Sequence, residues 1–386
     1  MSNTIGWGKA VENNTIGYGD GKDNSTNGWG SAYENSWSGE TLLEVLLTAP
    51  VNVSAPVVSG TASVGSVLTT TNGTWDNEPT SYTYQWKRNG SNILSATANT
   101  YTVVAADVSQ SITCTVTAIN DAGSASATSN TITPTWETDA QAFITAAAIT
   151  NPTQQSAVNQ LVVDLKGYGV WTKMKALYPF VGGTASQHKF NLKDSRDLDA
   201  AFRLTFNGGW THSVNGAQPN GTNGYADTFL NENSVMTLNN EHISFYSRTN
   251  TDGLFCDIGV SLTSPVTETN IFAKYLNVFY PRIHDSNSGV SNTISSLGLF
   301  ISNRVASNQI RAFQNNVLKI INSTSVGLKV NRNFYLGALS SANFNASLYS
   351  NRQLAFASIG EGLTDTEAAN FYTAVNNFQV ALSRNV

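Results

Sequence analysis

The chain has 386 residues, enough for roughly two or three domains, and only 12% of them are charged, with 21 Lys and Arg against 26 Asp and Glu. A net charge of -5, with no stretch that clusters basic residues and aromatics, offers nothing to a phosphate backbone and excludes nucleic acid as a partner. No run is long and apolar enough to cross a bilayer, and Met1 to Ile5 lacks the start of a signal peptide, so no membrane insertion is expected.

Residues 1–41 repeat every eleven positions: Gly6-Trp7-Gly8, Gly17-Tyr18-Gly19 and Gly28-Trp29-Gly30, with Glu12-Asn13, Asp23-Asn24 and Glu34-Asn35 in phase. A ring between two glycines is an apolar plate on a backbone that bends closely around it. Such a segment builds no core of its own. Trp7, Tyr18, Trp29, Tyr33 and Trp37 therefore read as plates docking onto a partner protein or onto copies of the same chain. The competing readings wrap the segment around its own sandwich or leave it a mobile linker. We assign residues 1–48 to this docking segment.

Residues 49–134 read as a small β sandwich. Tyr82, Tyr84 and Trp86 alternate down one strand, and Ile112, Cys114, Val116 and Ala118 down another. Asn72-Gly73, Asn89-Gly90 and Asp121-Ala122-Gly123 supply turns. The pattern from Gly60 to Leu68, with Trp75, Tyr84, Trp86, Tyr101, Asp107 and Ile112 to Gly123, resembles the bacterial and phage immunoglobulin-like domains. The resemblance makes Trp86 the core tryptophan and Cys114 the cysteine of the sixth strand. Leu68 stands near the place of the first cysteine and Ile112 at that of the corner tyrosine, so no disulfide bridge is expected. That agrees with assembly in a reducing cytoplasm.

Residues 135–178 form a helical connector: an alanine-rich stretch, then Pro152 at a first helical position ahead of Val158, Leu161, Val162 and Leu165 on one face. The stripe packs on the following domain or forms a seam with a neighbouring copy. Residues 179–386 hold about twelve strands without helical crossovers, which indicates a large two-sheet jelly roll rather than a parallel α/β sheet. Strands are predicted at 201–206, 242–246, 258–262, 297–303, 309–313, 317–321, 334–338 and 354–359. Thr364 and Glu367 form a capping box for a closing helix with Phe371, Val375, Phe378 and Leu382 on its apolar face. The fold class is mainly β.

The run from Gly298 to Leu318, with Phe334 to Ala338, Arg352 to Ala357 and Gly362 to Glu367, resembles the concanavalin-type or laminin-G-like jelly roll. Together with Asn27 to Tyr33 and Ser36 to Thr41, it resembles structural and fibre proteins of tailed phages infecting Bacteroidetes, crAss-like or related. The resemblance implies a virion protein assembled in the bacterial host cytoplasm, partnered with other virion structural proteins and forming a dimer or trimer. Its head would adhere without catalysis to a host glycan or surface receptor. The alternative it leaves open is a purely architectural capsid or tail protein.

The long stretch 207–225 carries Trp210, His212, Asn215, Asn220 and Tyr225 among glycines. Aromatic faces cover sugar C–H surfaces while amides bond hydroxyls, so these five are the candidate ligand-binding residues. The competing reading packs Trp210 on its own sheet and sets the loop against a second subunit. Asn250, Asp252, Asn287 and Asn315 lie in other polar turns. Asp194, Asp197 and Asp199, with Arg196 between, read as locally paired charges rather than a calcium loop. His188, His212, His242 and His284 lack metal-ligand spacing, so no metal, no cofactor and no catalytic residue is expected.

Overall fold

The computed structural model describes residues 47–285, 291–292, 295–342 and 345–386. Trp7, Tyr18, Trp29, Tyr33, Trp37 and Asn287 lie outside the described residues. What is described is mainly β: a small sandwich, two helices, and a large sandwich closed by a C-terminal helix.

Period-two alternation builds the small sandwich. In strand Ile112–Asn120 every second residue is buried, and its neighbours Ser81–Arg88 and Gly123–Thr128 pair with it antiparallel. Trp86 lies opposite Cys114 in this register and is fully buried. Its ring stacks on Tyr101 at 5.3 Å between centroids, and its indole N–H donates to the Ala98 carbonyl at 2.9 Å. Leu68 is buried in the same core, and Cys114 and Cys256 are both buried free thiols.

Glu137 caps helix Thr138–Ala146, and Asn151 caps helix Pro152–Gly167 with the proline in its first turn. The stripe Val158, Leu161, Val162 and Leu165 is buried with Phe371, Val375 and Phe378 of helix Asp365–Ala381. Each such side chain contributes about 1.5–3 kcal/mol of burial. The connector thus packs on the sandwich within its own chain. The capping box forms as expected: Thr364 Oγ1 accepts from the Glu367 amide, and the Glu367 carboxylate accepts from the Thr364 amide.

These two helices cover one sheet, which runs Trp210–Ser213, Gly216–Pro219, Leu354–Gly360, Glu241–Ser247, Gly298–Arg304, Gln309–Gln314 and Val317–Asn322. Met174–Tyr178, at the end of the stretch read as connector, is a strand of this sheet paired with Leu354–Gly360. All seven residues of Glu241–Ser247 are buried, because Ile243 and Phe245 face the second sheet while His242 and Tyr246 face the helix layer. The second, open sheet runs Thr205–Asn207, Tyr225–Asn231, Asn333–Leu336, Ile258–Thr263, Val266–Tyr275, Val278–Asp285 and Ser291–Asn292.

Two expectations need correction. The strand predicted at 201–206 is a 3-10 turn, Asp199–Ala201, followed by Phe202 at φ 58° and only the short strand Thr205–Asn207. The left-handed Phe202 breaks the alternation that the sequence displays. The stretch 207–225 is not one long loop but the hairpin of Trp210–Ser213 with Gly216–Pro219, tied back by Gly208 at φ 70°. A Cβ on Gly208 would lie 2.0 Å from the Asn223 carbonyl oxygen.

Candidate functional site

The hairpin keeps Trp210 and His212 together, their rings stacked at 6.1 Å between centroids, and separates Asn215, Asn220 and the Tyr225 ring from that pair. Trp210 packs towards the core between the sheets, edge-on to Phe206 at 5.1 Å, and its indole N–H lies 3.1 Å from the Asn207 carbonyl and 3.3 Å from that of Tyr225. His212 is half-buried, its Nδ1 3.0 Å from His188 Nδ1 and its ring edge-on to Phe206. Burial lowers the pKa of both imidazoles, that of His188 to about 3. Asn220 Oδ1 accepts from the amides of Thr222, Asn223 and Gly224 at 3.0 to 3.1 Å, so it organises the turn. Asn215 is exposed at the hairpin tip, the opposite end from Asn220. Tyr225 belongs to a different surface, stacked on Tyr335 at 4.6 Å within the cluster of Ala338 and Ala346.

The polar turns have internal work too. Asn250 Oδ1 accepts from the Ser296 amide, and Asn315 Oδ1 from the Leu299 amide. Asp194 pairs with Arg196, Asp197 with Lys189 and Arg203, and Asp199 with Arg203, which is the local pairing expected of that charged stretch.

An aromatic cleft that the sequence reading did not single out lies on the outer face of the open sheet. Leu254, Phe272, Tyr275, Tyr280 and Arg282 line a space of about 230 Å³. Strands Val266–Tyr275 and Val278–Asp285 form the hairpin that carries four of them, with Phe272 directly opposite Tyr280. Alternation divides the hairpin: Ile271, Ala273, Phe279 and Ile283 fill the core between the sheets or lie beside it, leaving Phe272 and Tyr280 on the other face with Cys256 and Leu339. The Arg282 guanidinium sits 5.5 Å from the ring centres of both Phe272 and Tyr280, and its Nη1 donates to Glu268 Oε2. Cation–π contact of this kind holds the rings and the charge in one arrangement. The sequence shows Phe272, Tyr275 and Tyr280 around Leu276-Asn277, but alternation alone puts Phe272 and Tyr275 on opposite faces, and the register shift between them is what brings both to the cleft.

Clefts that enclose drug-sized ligands span about 300–1,000 Å³, so this one suits a single ring or side-chain-sized group. Aromatic faces beside a guanidinium offer stacking and directed N–H donors together, the combination that binds a polar ring with one apolar face.

A second cluster is wholly buried. Glu232, in the short helix Glu232–Val235, meets Glu241, the first residue of its strand, and His284, near the end of the cleft hairpin. His284 Nε2 lies 3.1 Å from Glu241 Oε2 and 3.7 Å from Glu232 Oε1. Burial raises the pKa of Glu232 to about 8 and that of Glu241 well above the usual carboxylate range, and lowers that of His284 to about 4. The three come from separated segments, which is why sequence spacing did not bring them together.

No protein-family model matches the chain, and no curated protein matches it. Among solved structures, the chain is similar to Domain 4 of AbnA, a GH43 extracellular arabinanase from Geobacillus stearothermophilus, in complex with arabinotriose. That similarity has 14% identity and a TM-score of 0.33, over 52% of this chain and 98% of that one. A likeness at this level carries no argument about what the present chain binds.

Proposed function

We propose that this chain is a non-catalytic virion fibre or decoration protein of a phage, anchored through residues 1–48 and using its C-terminal sandwich for adhesion to a host glycan or surface receptor. The observation that carries the adhesive part is the cleft lined by Phe272, Tyr275, Tyr280 and Arg282 on the outer face of this hairpin. The virion part is supported by the sequence resemblance and by the phased aromatic repeat. One shallow site of this size gives weak binding, and display of many copies on a particle converts weak contacts into avidity.

The second reading is architectural, with the cleft seated against a neighbouring protein. It is favoured by the apolar rim, where Leu254 and Leu276 are 46% and 67% exposed. A glycan array probed with the full chain, multimerised to gain avidity, separates the two. Binding to a defined set of sugars, lost in Tyr280→Ala, supports adhesion. Absence of any glycan signal, together with a particle map that buries this hairpin against another protein, replaces adhesion by architecture. Normal incorporation of a chain lacking residues 1–41 into particles would reject the anchoring role.

A further inference from the structure

We infer that Glu232, Glu241 and His284 form a buried site for a divalent transition metal ion, zinc by the chemistry of its donors, that ties the two sheets of the large sandwich together. All three side chains are 0% exposed. Glu232 Oε2 accepts from the Val330 amide, but among the described residues Glu232 Oε1, both oxygens of Glu241 and His284 Nε2 have no hydrogen-bond partner. Four buried polar atoms whose one mutual contact is the 3.1 Å ion pair of His284 Nε2 with Glu241 Oε2 are rare in a folded chain and call for something that satisfies them together. A divalent cation does so, and its two positive charges balance two carboxylates that would otherwise be costly to bury ionised.

The geometry fits. Zinc takes oxygen and nitrogen ligands at about 2.0–2.2 Å, so two ligand atoms on a tetrahedron stand about 3.3–3.6 Å apart. The pairs here are 3.1 Å and 3.7 Å apart, and the three ligand atoms all fall within 4.8 Å of one another. Calcium prefers six or more oxygens, whereas a set of two carboxylates and an imidazole belongs to zinc and its transition-metal neighbours. Three protein ligands leave a fourth position for water or a further donor.

The backbone is shaped to present the imidazole. Glu268 pairs with Asp285 and Asn270 with Arg282, so the second strand carries one extra residue at this point, and His284 has φ 49°. A bulge with a left-handed non-glycine residue re-aims a side chain that simple alternation would leave on the other face. Metal on Nε2 places the ring proton on Nδ1, which needs an acceptor. In the structure the Asn239 backbone N–H donates to His284 Nδ1 at 3.3 Å, and the buried side-chain Oδ1 of Asn239 has no partner among the described residues. Metal on Nε2 would require this donor contact to be replaced by an acceptor, a role for Asn239 Oδ1. Lys329 and Arg304 are the nearby cations, the former donating to the Asn233 and Met236 carbonyls and the latter to those of Ile283 and Ser323.

The test uses the full chain, expressed with added zinc and purified without chelator. Elemental analysis is expected to give about one zinc per chain, falling at least tenfold in Glu241→Gln and in His284→Gln. Chelator-treated wild type is expected to gain about 5–10 °C in Tm with zinc at roughly a hundred times its Kd, and Glu241→Gln to gain nothing. The inference is overturned if the wild type is isolated without metal and neither zinc nor manganese moves its Tm, which leaves a cluster of protonated carboxyls around a neutral imidazole. Equal zinc content in wild type and Glu241→Gln overturns it as well. The wild-type measurements stand by themselves should a variant fail to fold.

Discussion

Arg352 and Asp257 form a fully buried ion pair, with Nη1 of the first 2.8 Å from Oδ2 of the second. Asp257 also accepts from the Ser350 hydroxyl and the Ala273 amide, while Arg352 Nη2 donates to the carbonyls of Thr251 and Lys274. The pair therefore binds the loop before strand Ile258–Thr263 to the cleft hairpin at the residue preceding Tyr275. Removing one partner strands a charge in the interior, which typically costs about 3–5 kcal/mol. Asp257→Ala is expected to lose that much in urea unfolding. Replacing both residues by apolar ones of similar volume is expected to lose clearly less, as a double-mutant cycle would show.

Much of this architecture was legible from period. The buried alternation of Ile112–Asn120, the strands Gly298–Arg304 and Leu354–Gly360, and the capping box at Thr364 all follow from local chemistry that tertiary contacts reinforce. Trp86 and Cys114 took their expected places because one register aligns them. Legibility ended where the backbone leaves its ordinary regions or where partners are remote in sequence. Phe202 and His284 carry apolar and polar side chains through left-handed conformations that no alternation reveals. Trp210, among glycines that suggest a loop, admits two readings from sequence, a ligand-binding plate or packing on its own sheet, and the core between the sheets receives it.

The cleft hairpin turns on Leu276 and Asn277, at φ 52° and 59°, between the paired Tyr275 and Val278. Both central residues of such a turn need left-handed backbone, which favours Asn and Gly and costs leucine about 1–2 kcal/mol. Asp252 supplies the compensation, its two carboxylate oxygens accepting from the Leu276 and Asn277 amides at 2.8 and 2.9 Å. Leu276→Gly is expected to raise stability by about 1 kcal/mol. Asp252→Ala is expected to lower it by a similar amount, with faster amide exchange confined to the hairpin tip.

Trp210 and Tyr280 should separate structure from binding. Trp210→Ala empties a site against Phe206 and the core, and about 3 kcal/mol is expected to be lost in unfolding. Tyr280→Ala removes a half-buried ring from the cleft, with an expected loss below about 1.5 kcal/mol but at least tenfold in affinity for any sugar that the array identifies. The reverse pattern, with binding lost at Trp210 in a stable protein, would return the ligand site to the hairpin predicted from sequence.

His242 sets an acid limit on the fold. Its Nδ1 lies 2.6 Å from the Glu361 carbonyl, which can only accept, so the proton resides there and Nε2 accepts from the Ser358 hydroxyl at 3.1 Å. Burial holds the imidazole neutral and lowers its pKa from 6.5 to about 4. Between these values the unfolded chain binds a proton that the folded chain refuses, so the His242 contribution is present above 6.5 and is lost as pH falls towards 4. Glu232 acts in the opposite sense without metal: raised from 4.5 to about 8, it favours the fold at low pH and withdraws that contribution as pH rises between the two. Comparing wild type with His242→Gln cancels the Glu232 term. Stability measured from pH 7.5 to 4 is expected to fall by up to ~3 kcal/mol more in the wild type than in the variant. Parallel curves for the two proteins would mean that this imidazole titrates alike in the folded and unfolded chains.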